Sequence, residues 1–406
     1  MLIDPSRVRV RGPLAPFATG FAEELARQGY TPLSARNQMW LMAHLSRWLM
    51  SEGIGACDLS AANLERFLCA RRASGCKRLR SIKATRPLLA YLHEVDIARP
   101  PPPPEPTGPV EGMLERYRIY LTVERGLGRE TARGYVDSMR HFLKGRVSPD
   151  GLALNLGHLS AADVISFVVA RCPRQGRSAA KLTATALRSL LGFLHFSGLI
   201  ERSLTSSVPS VASRRLAGLP KGLEAGQVLS LLTSCDKSTA NGSRDFAVLT
   251  LLVRLGMRAG EVAKLRLEDI DWRAGAILVR GKANCAERVP LPMDVGEAVA
   301  TYLRRGRPVS ADGRTVFVRI KAPHRAITRG GVTQIVAAVA RRAGLGLVHA
   351  HRLRHTAATQ MLRAGATLPE IGQVLRHRRA MTTAIYAKVD REALRTIARH
   401  WPEDTL

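Results

Sequence analysis

Acidic residues are scarce in this chain: 33 Asp and Glu stand against 62 Lys and Arg in 406 residues, a formal charge of +29. Solubility alone asks for far less, and such an excess points to a long polyanion as partner. Aromatic residues make up only 5 %, too few for a protein that grips single strands by stacking their bases, so a duplex held through its phosphates fits better. The six cysteines, Cys57, Cys69, Cys76, Cys172, Cys235 and Cys285, form no Cys-x-x-Cys pair and no Cys/His spacing of a zinc site, so they read as reduced cytosolic thiols. Cys285 lies close to Lys282 and reads as a solvent-side hairpin residue rather than a reactive thiol. No apolar run approaches the roughly 20 residues that would span a bilayer, and the opening Met1-Leu-Ile-Asp-Pro5 lacks the basic-then-apolar layout of a secretion signal. A membrane is therefore not an expected partner.

What is present begins with length. At about 100–200 residues per domain, the chain predicts two or three domains. Arg99-Pro-Pro-Pro-Pro-Pro104-Glu-Pro106-Thr-Gly-Pro109 cannot continue a helix and predicts a stiff, extended spacer over 99–110. It separates two segments that look alike. Leu59-Ser-Ala-Ala62 with Phe67, Ala70 and Arg71 recurs as Leu159-Ser-Ala-Ala162 with Phe167, Ala170 and Arg171. Leu88-Leu-Ala-Tyr-Leu-His93 recurs as Leu190-Leu-Gly-Phe-Leu-His195, and Ser34-Ala-Arg36 is echoed by Thr131-Ala-Arg133. Three matches in one order argue for a duplicated unit, over 1–98 and 111–210. Residues fall at three- and four-residue spacing, as in Trp40, Leu41, His44, Leu45, Trp48 and Leu49, so both copies read as small helical bundles. Basic residues such as Lys77-Arg-Leu-Arg80 and Arg177 fall at or near helix starts, where amides and cations both meet phosphates.

A second linker, from Ser203 to Gly222, leads into a region over 219–406. Ser243 to Val253 reads as a buried helix with Ser243 as its cap, ended by Gly256. Ala276–Arg280 and Arg288–Leu291 read as two strands joined through Gly281, Lys282 and Glu287. After Gly330 the pattern returns to helices. The expected fold is mainly α, with a small β-sheet in the C-terminal domain, preceded by two tandem helical units.

The C-terminal region carries an ordered set of chemical groups: Arg258 in Gly256-Met-Arg-Ala-Gly-Glu261, Lys282, His351-Arg-Leu-Arg354-His355, Leu375-Arg-His377 and Tyr386. A phosphodiester under attack gathers negative charge on its non-bridging oxygens, and fixed cations stabilise it. Arginine suits this because its fork is planar and stays charged. His351 and Arg354 at i, i+3 share a helical face, and Glu261 one turn beyond Arg258 is placed to orient that arginine. His349 competes with His351, while His355 is expected to point elsewhere and support the fold. Tyr386 is the nucleophile candidate; a free phenol with pKa near 10 is about 0.1 % ionised at neutral pH, so activation costs roughly 4 kcal/mol. A nearby histidine would take its proton.

In order and spacing these residues resemble the phage-integrase family of tyrosine recombinases, over about the last 190 residues. The resemblance implies a tyrosine-recombinase-like α+β catalytic domain in which Arg258 and Arg354 hold the scissile phosphate with His351 and His377. It implies that Tyr386 forms a 3′-phosphotyrosyl bond and that Lys282 protonates the leaving 5′ oxygen, with Arg280 and Arg288 as weaker alternatives. Neither a cofactor nor a metal is implied. The implied partners are double-stranded DNA, further copies of the chain up to a tetramer, and related recombinases, in the bacterial cytoplasm on the nucleoid. The segment 111–210 resembles the family's core-binding domain, and Asp390 to Trp401 is expected to form a docking helix. Two features depart from the family pattern: Arg376 stands where Gly is usual, and the hairpin reads Gly-Lys-Ala-Asn-Cys. They point to a divergent branch carried by mobile elements. A type IB topoisomerase and a non-catalytic DNA-binding accessory protein are the alternatives.

Overall fold

The computed structural model describes residues 4–97, 107–211, 222–281, 286–377, 379–389 and 394. The chain divides into two compact units, Pro100–Arg215, and Met1–Arg99 together with Leu216–Leu406. The first helical copy consists of α1 (Ala18–Arg27), α2 (Pro32–Ser51), α3 (Ala61–Ala73) and α4 (Ile82–Glu94). Thr31 and Ser60 cap α2 and α3 by accepting the backbone N–H three residues on. Phe21, Met39, Met42, Leu45, Leu88 and Leu92 close its core at 0–1 % exposure. Of the positions the three- and four-residue spacing marks on α2, Leu41, Leu45 and Leu49 are buried, whereas Trp40 is 49 % exposed and His44 lies at the surface.

The second copy repeats the order as α5 (Pro109–Ile119), α6 (Arg129–Lys144), α7 (Ala161–Arg171) and α8 (Arg177–Phe196). Its own core gathers Tyr117, Met139, Phe142, Val164, Leu187, Leu190 and Leu194. Ser160 and Asp163 form a reciprocal capping box at the start of α7.

The C-terminal half is built around α10 (Ala240–Arg254), which follows α9 (Ala225–Thr233). From Ala247 to Val253 each apolar residue of α10 is buried, because this helix is wrapped by others on every side. The cap is not Ser243. The helix begins a turn earlier, where the Thr239 hydroxyl accepts from Gly242 N–H at 3.0 Å, and Ser243 is 3 % exposed within the helix. Ser243 instead donates to the Ala240 carbonyl at 3.2 Å.

Next come α11 (Ala259–Lys264) and a three-stranded antiparallel sheet of β1 (Ile270–Asp271), β2 (Ala276–Arg280) and β3 (Ala286–Pro290), in that order across the sheet. Val279 pairs with Glu287 and Arg280 with Ala286. Ile277 and Val279 are buried against the core while most of β3 is exposed, so the hairpin stands on the edge of this half. Its connection, with Lys282 and Cys285, lies outside the described residues. Helices α12 (Met293–Thr301), α13 (Arg329–Arg342), α14 (Ala350–Arg363) and α15 (Leu368–Val374) complete the region. No helix among the described residues is long and apolar enough to cross a membrane. Apart from Leu394, the expected docking helix over Asp390 to Trp401 lies outside the described residues.

Candidate active site

Gly256 ends α10 in the left-handed region, at φ +55°, where a side chain costs energy. A Cβ at this position would lie 2.3 Å from Leu375 Cδ2 and 3.4 Å from Ala357 Cβ. The bare backbone therefore lets the α10–α11 turn sit directly on α14 and α15, which brings three distant stretches of sequence to one place. Gly256→Ala should destabilise the protein by roughly 2–4 kcal/mol, the left-handed strain adding to overpacking. Urea unfolding of both proteins measures it, and an unchanged midpoint would refute the tight turn.

Two residues on, Arg258 is the N-cap of α11. Its backbone N–H donates to Glu261 Oε2 at 2.8 Å and its Nη1 to Oε1 at 2.6 Å. The Arg258 side chain remains 45 % exposed while Glu261 is nearly buried. The buried carboxylate and the Arg376 carbonyl, which accepts from Nη2 at 3.3 Å, thus hold the guanidinium in place, and its exposed side keeps further N–H groups for an anion. Burial would raise the Glu261 pKa, but the Arg258 backbone N–H and guanidinium together with Arg376 hold it below the ordinary range.

Arg376 explains the departure from glycine noted in the sequence. It adopts φ +55°, a conformation that glycine reaches most easily, and terminates α15 with its N–H on the Gln373 carbonyl at 2.8 Å. Its Nη2 meets Glu261 Oε2 at 3.2 Å within a pair that is 4 % exposed on both sides. One buried carboxylate therefore joins Arg258 to Arg376. Sequence reasoning did not find this second arginine, since its signal was a deviation from the family pattern.

On α14, Arg354 is 2 % exposed and donates from Nη1 to the Gly256 carbonyl at 2.5 Å and from Nη2 to the Leu375 carbonyl. Burial, then the charges of Arg258 and Arg376, push its pKa down to about 10, which still leaves it a cation at neutral pH. His351 sits one turn earlier on the same face, exposed at the surface. Desolvation and the charges of Arg354 and Arg258 hold it below the ordinary imidazole range. Exposed His349 is the N-cap of α14 and makes no side-chain capping bond.

His355 corrects the expectation that it points elsewhere. Its Nδ1 lies 2.9 Å from Tyr386 Oη, and its ring packs edge-on against His351 with centroids 4.4 Å apart. The reason is the helix period: position i+4 falls on the same face as i, just as i+3 does. Burial, His351 and Arg354 push its pKa down to about 4, so at neutral pH it is an uncharged acceptor or donor.

His377 and Tyr386 are not on α-helices. Arg376 breaks α15, His377 follows outside the helix with its N–H on the Gly372 carbonyl at 2.9 Å, and Tyr386 lies in a short 3-10 helix, Ala384–Val389. The His377 Nδ1 lies 2.7 Å from Thr383 Oγ1, and burial followed by Arg354 and Arg258 pushes its pKa to about 4. Tyr386 is 2 % exposed, and burial raises its phenol to about 12 despite the opposing charge of Arg354. A cleft of about 660 Å³ opens beside this segment, lined by Leu368, Arg376, His377, Met381, Thr383 and Glu287 from β3. Arg258, Arg354, His351, His377 and Tyr386 thus gather around the contact of α10, α14 and α15. Arg280 and Arg288 are instead engaged by carboxylates, Asp269 at 2.7 Å and Asp271 at 2.6 Å.

The neutral, half-buried histidines His355 and His377 make this region sensitive to acid. A group with folded pKa about 4 against about 6.5 unfolded lets the unfolded state bind more protons between those values, so stability rises with pH there and is complete above 6.5. The melting temperature should therefore drop as pH falls from 6.5 to 4, and less steeply for His377→Gln. Equal slopes for the two proteins would contradict the half-buried, neutral state.

The phage integrase family model matches residues 221–393. Over 401 residues the chain is 42 % identical to the integrase/recombinase y4rA of Sinorhizobium fredii (strain NBRC 101917 / NGR234), covering 96 % of this chain and 95 % of that one. It is 33 % identical over 301 residues to tyrosine recombinase XerD of Mycobacterium tuberculosis (strain ATCC 25618 / H37Rv), covering 70 % of this chain and 95 % of the relative. In fold it is similar to the XerH site-specific recombinase bound to palindromic difH substrate, with TM-score 0.56 and 20 % identity over 71 % of this chain and 85 % of that one. Fold and relatives together define an enzyme of the tyrosine recombinase class. The chain belongs to the phage integrase family.

Proposed function

We propose that this recombinase acts at specific sites on duplex DNA, and that it cuts and rejoins strands through a phosphotyrosyl bond to Tyr386 in the movement of a mobile element. The observation that carries the reading is the Tyr386 phenol lying 2.9 Å from His355 Nδ1 on the same helix as the buried Arg354. The Oη attacks the scissile phosphorus and the bond to the 5′ oxygen breaks, leaving a 3′-phosphotyrosyl ester. The phenolic proton passes to a histidine, for which His355 is placed when its own ring proton sits on Nε2. Lys282 supplies a proton to the departing 5′ oxygen, the role its place in the sequence implies. Rejoining runs the same steps backwards with the 5′ hydroxyl of a partner strand.

Charge on the phosphorane oxygens is met by Arg258, whose half-exposed guanidinium keeps N–H groups beyond those on Glu261 and the Arg376 carbonyl, and by Arg354 and His351 beside it. Energy stored in the phosphotyrosyl ester is returned at rejoining, so strand exchange consumes no high-energy cofactor. The +29 charge supports duplex DNA as the substrate, and exchange between two duplexes calls for several copies of the chain, four in the assembly the resemblance implies. XerH, similar in fold, is described on its difH substrate in a post-cleavage complex.

The test is covalent trapping. Nicked suicide duplexes drawn from the ends of the genetic element around the gene should yield a protein–DNA adduct that survives denaturation. Tight binding of those ends with no adduct would overturn the cleavage reading in favour of an accessory DNA-binding role.

A further inference from the structure

We infer that residues 4–97 are a second duplex-gripping module, which binds phosphates through the basic loop between α3 and α4. The inference rests on the recombinase reading above and extends it to a part of the chain outside the matched family region, which starts at residue 221.

The first observation is that the duplication is structural. Both copies run through four helices in the same order. At a constant offset, Ala35 and Met42 of α2 correspond to Ala132 and Met139 of α6, and all four are buried. Leu88 and Leu92 of α4 correspond likewise to Leu190 and Leu194 of α8, all at 0 % exposure. Ser60 and Ser160 cap the third helix of each copy by the same bond, accepting from Asn63 N–H at 3.2 Å and from Asp163 N–H at 3.3 Å.

The second observation is that charge has been kept along with the core. Residues 1–98 carry fourteen Lys and Arg against eight Asp and Glu, and residues 111–210 carry the same numbers. A copy retained only as a packing block for another protein surface has no need of that balance.

The third observation is where the charge stands. Arg71 and Arg171, at matching ends of α3 and α7, each have a buried Nε without a hydrogen-bond partner. Arg71 uses Nη2 to hold the Arg78 carbonyl at 3.1 Å, and Arg72 uses Nη1 to hold the Arg80 carbonyl at 3.5 Å. These two bonds pin the loop 74–80 by its backbone and turn the side chains outward. Lys77, Arg78 and Arg80 are exposed, and among the described residues no carboxylate lies within ion-pair distance of any of them. Several unpaired cations displayed on one pinned loop are suited to a row of phosphates. Beside them a cleft of about 470 Å³ is lined by Trp40, His44, Arg71 and Arg78.

The experiment uses the full chain and a fluorescein-labelled duplex of random sequence, with the dissociation constant measured against salt. One variant carries Lys77→Glu, Arg78→Glu and Arg80→Glu. A control of equal charge change carries Arg7→Glu, Arg9→Glu and Arg11→Glu at other exposed positions of the same copy. For three lost phosphate contacts, the log–log salt slope should fall by about 2–3 and affinity by roughly tenfold or more, with the control well below this. Circular dichroism melts check that both variants fold. If wild type binds and the loop variant keeps its slope, or the control loses as much, the inference is overturned while the recombinase reading stands. An unchanged slope with weakened self-association in sedimentation would assign the loop to a neighbouring subunit and also overturn it. Failure of wild type to bind any duplex would strike the recombinase reading itself.

Discussion

Tyr386→Phe is expected to abolish the covalent protein–DNA adduct while leaving duplex binding within about twofold. The substitution removes one oxygen from a side chain that is 2 % exposed and leaves the ring packed beside Ala358, Ile371 and Leu375. Phenylalanine offers no alternative nucleophile, so the loss has no partial form: adduct falls by the full sensitivity of the gel. His355→Phe provides the graded companion. It keeps an aromatic ring against Tyr386 but deletes the Nδ1 found 2.9 Å from the phenol. Loss of a proton acceptor of this kind costs roughly 10²–10⁴ in rate. Because burial raises the phenol to about 12 and His355 is already neutral above about 4, wild-type cleavage should be flat across the neutral range, whereas the slow cleavage of His355→Phe should quicken with pH as hydroxide takes the proton instead. A Tyr386→Phe protein that still forms adduct would assign the nucleophile elsewhere.

The parts of this arrangement that sequence made legible are those that depend on local chemistry and period. The apolar spacing of α2 marks a helix whose Leu41, Leu45 and Leu49 lie inside although Trp40 does not, and His351 with Arg354 share a face because three residues is nearly one turn. Glu261 orients Arg258 for the same local reason. What escaped reading depended on contacts across long separations or on backbone conformation. The partnership of His355 with Tyr386 spans 31 residues, and a default expectation that adjacent side chains diverge assigned His355 to the fold. The joining of Arg376 to Glu261 spans 115 residues and was hidden by a glycine-favouring position occupied by arginine. The cap of α10 was misplaced because Ser243 and Thr239 both carry capping hydroxyls within one turn, and burial of Ser243 by neighbouring helices decided between them. That His377 and Tyr386 leave the α-helical path followed from the left-handed residue at 376, which no periodicity records.

Arg354 tests whether the site's construction and its chemistry share one side chain. Its guanidinium donates to the carbonyls of Gly256 and Leu375, thereby tying α14 to the end of α10 and to the end of α15, and no other described side chain bridges these two carbonyls. Lys cannot replace it, because a single ammonium on a flexible stem does not span two acceptors held by different segments. Arg354→Lys therefore leaves at least one buried carbonyl unpaired, at about 1–3 kcal/mol. Arg354→Ala leaves both unpaired and adds a cavity, for a total of roughly 3–5 kcal/mol. In catalysis the Lys variant keeps a positive charge but loses the planar fork, so cleavage should drop by about 10²–10³ at saturating DNA. The two readouts separate the roles. Urea unfolding reports the carbonyl contacts without DNA, and adduct formation below the unfolding transition reports the phosphate. If Arg354 only braced the fold, Arg354→Lys would be less stable yet cleave at the wild-type rate while folded; if it only met the phosphate, cleavage would collapse with the unfolding midpoint unmoved. The geometry predicts that both fall, because the bonds that bury the guanidinium between two helix ends also hold it in place beside Arg258 and His351.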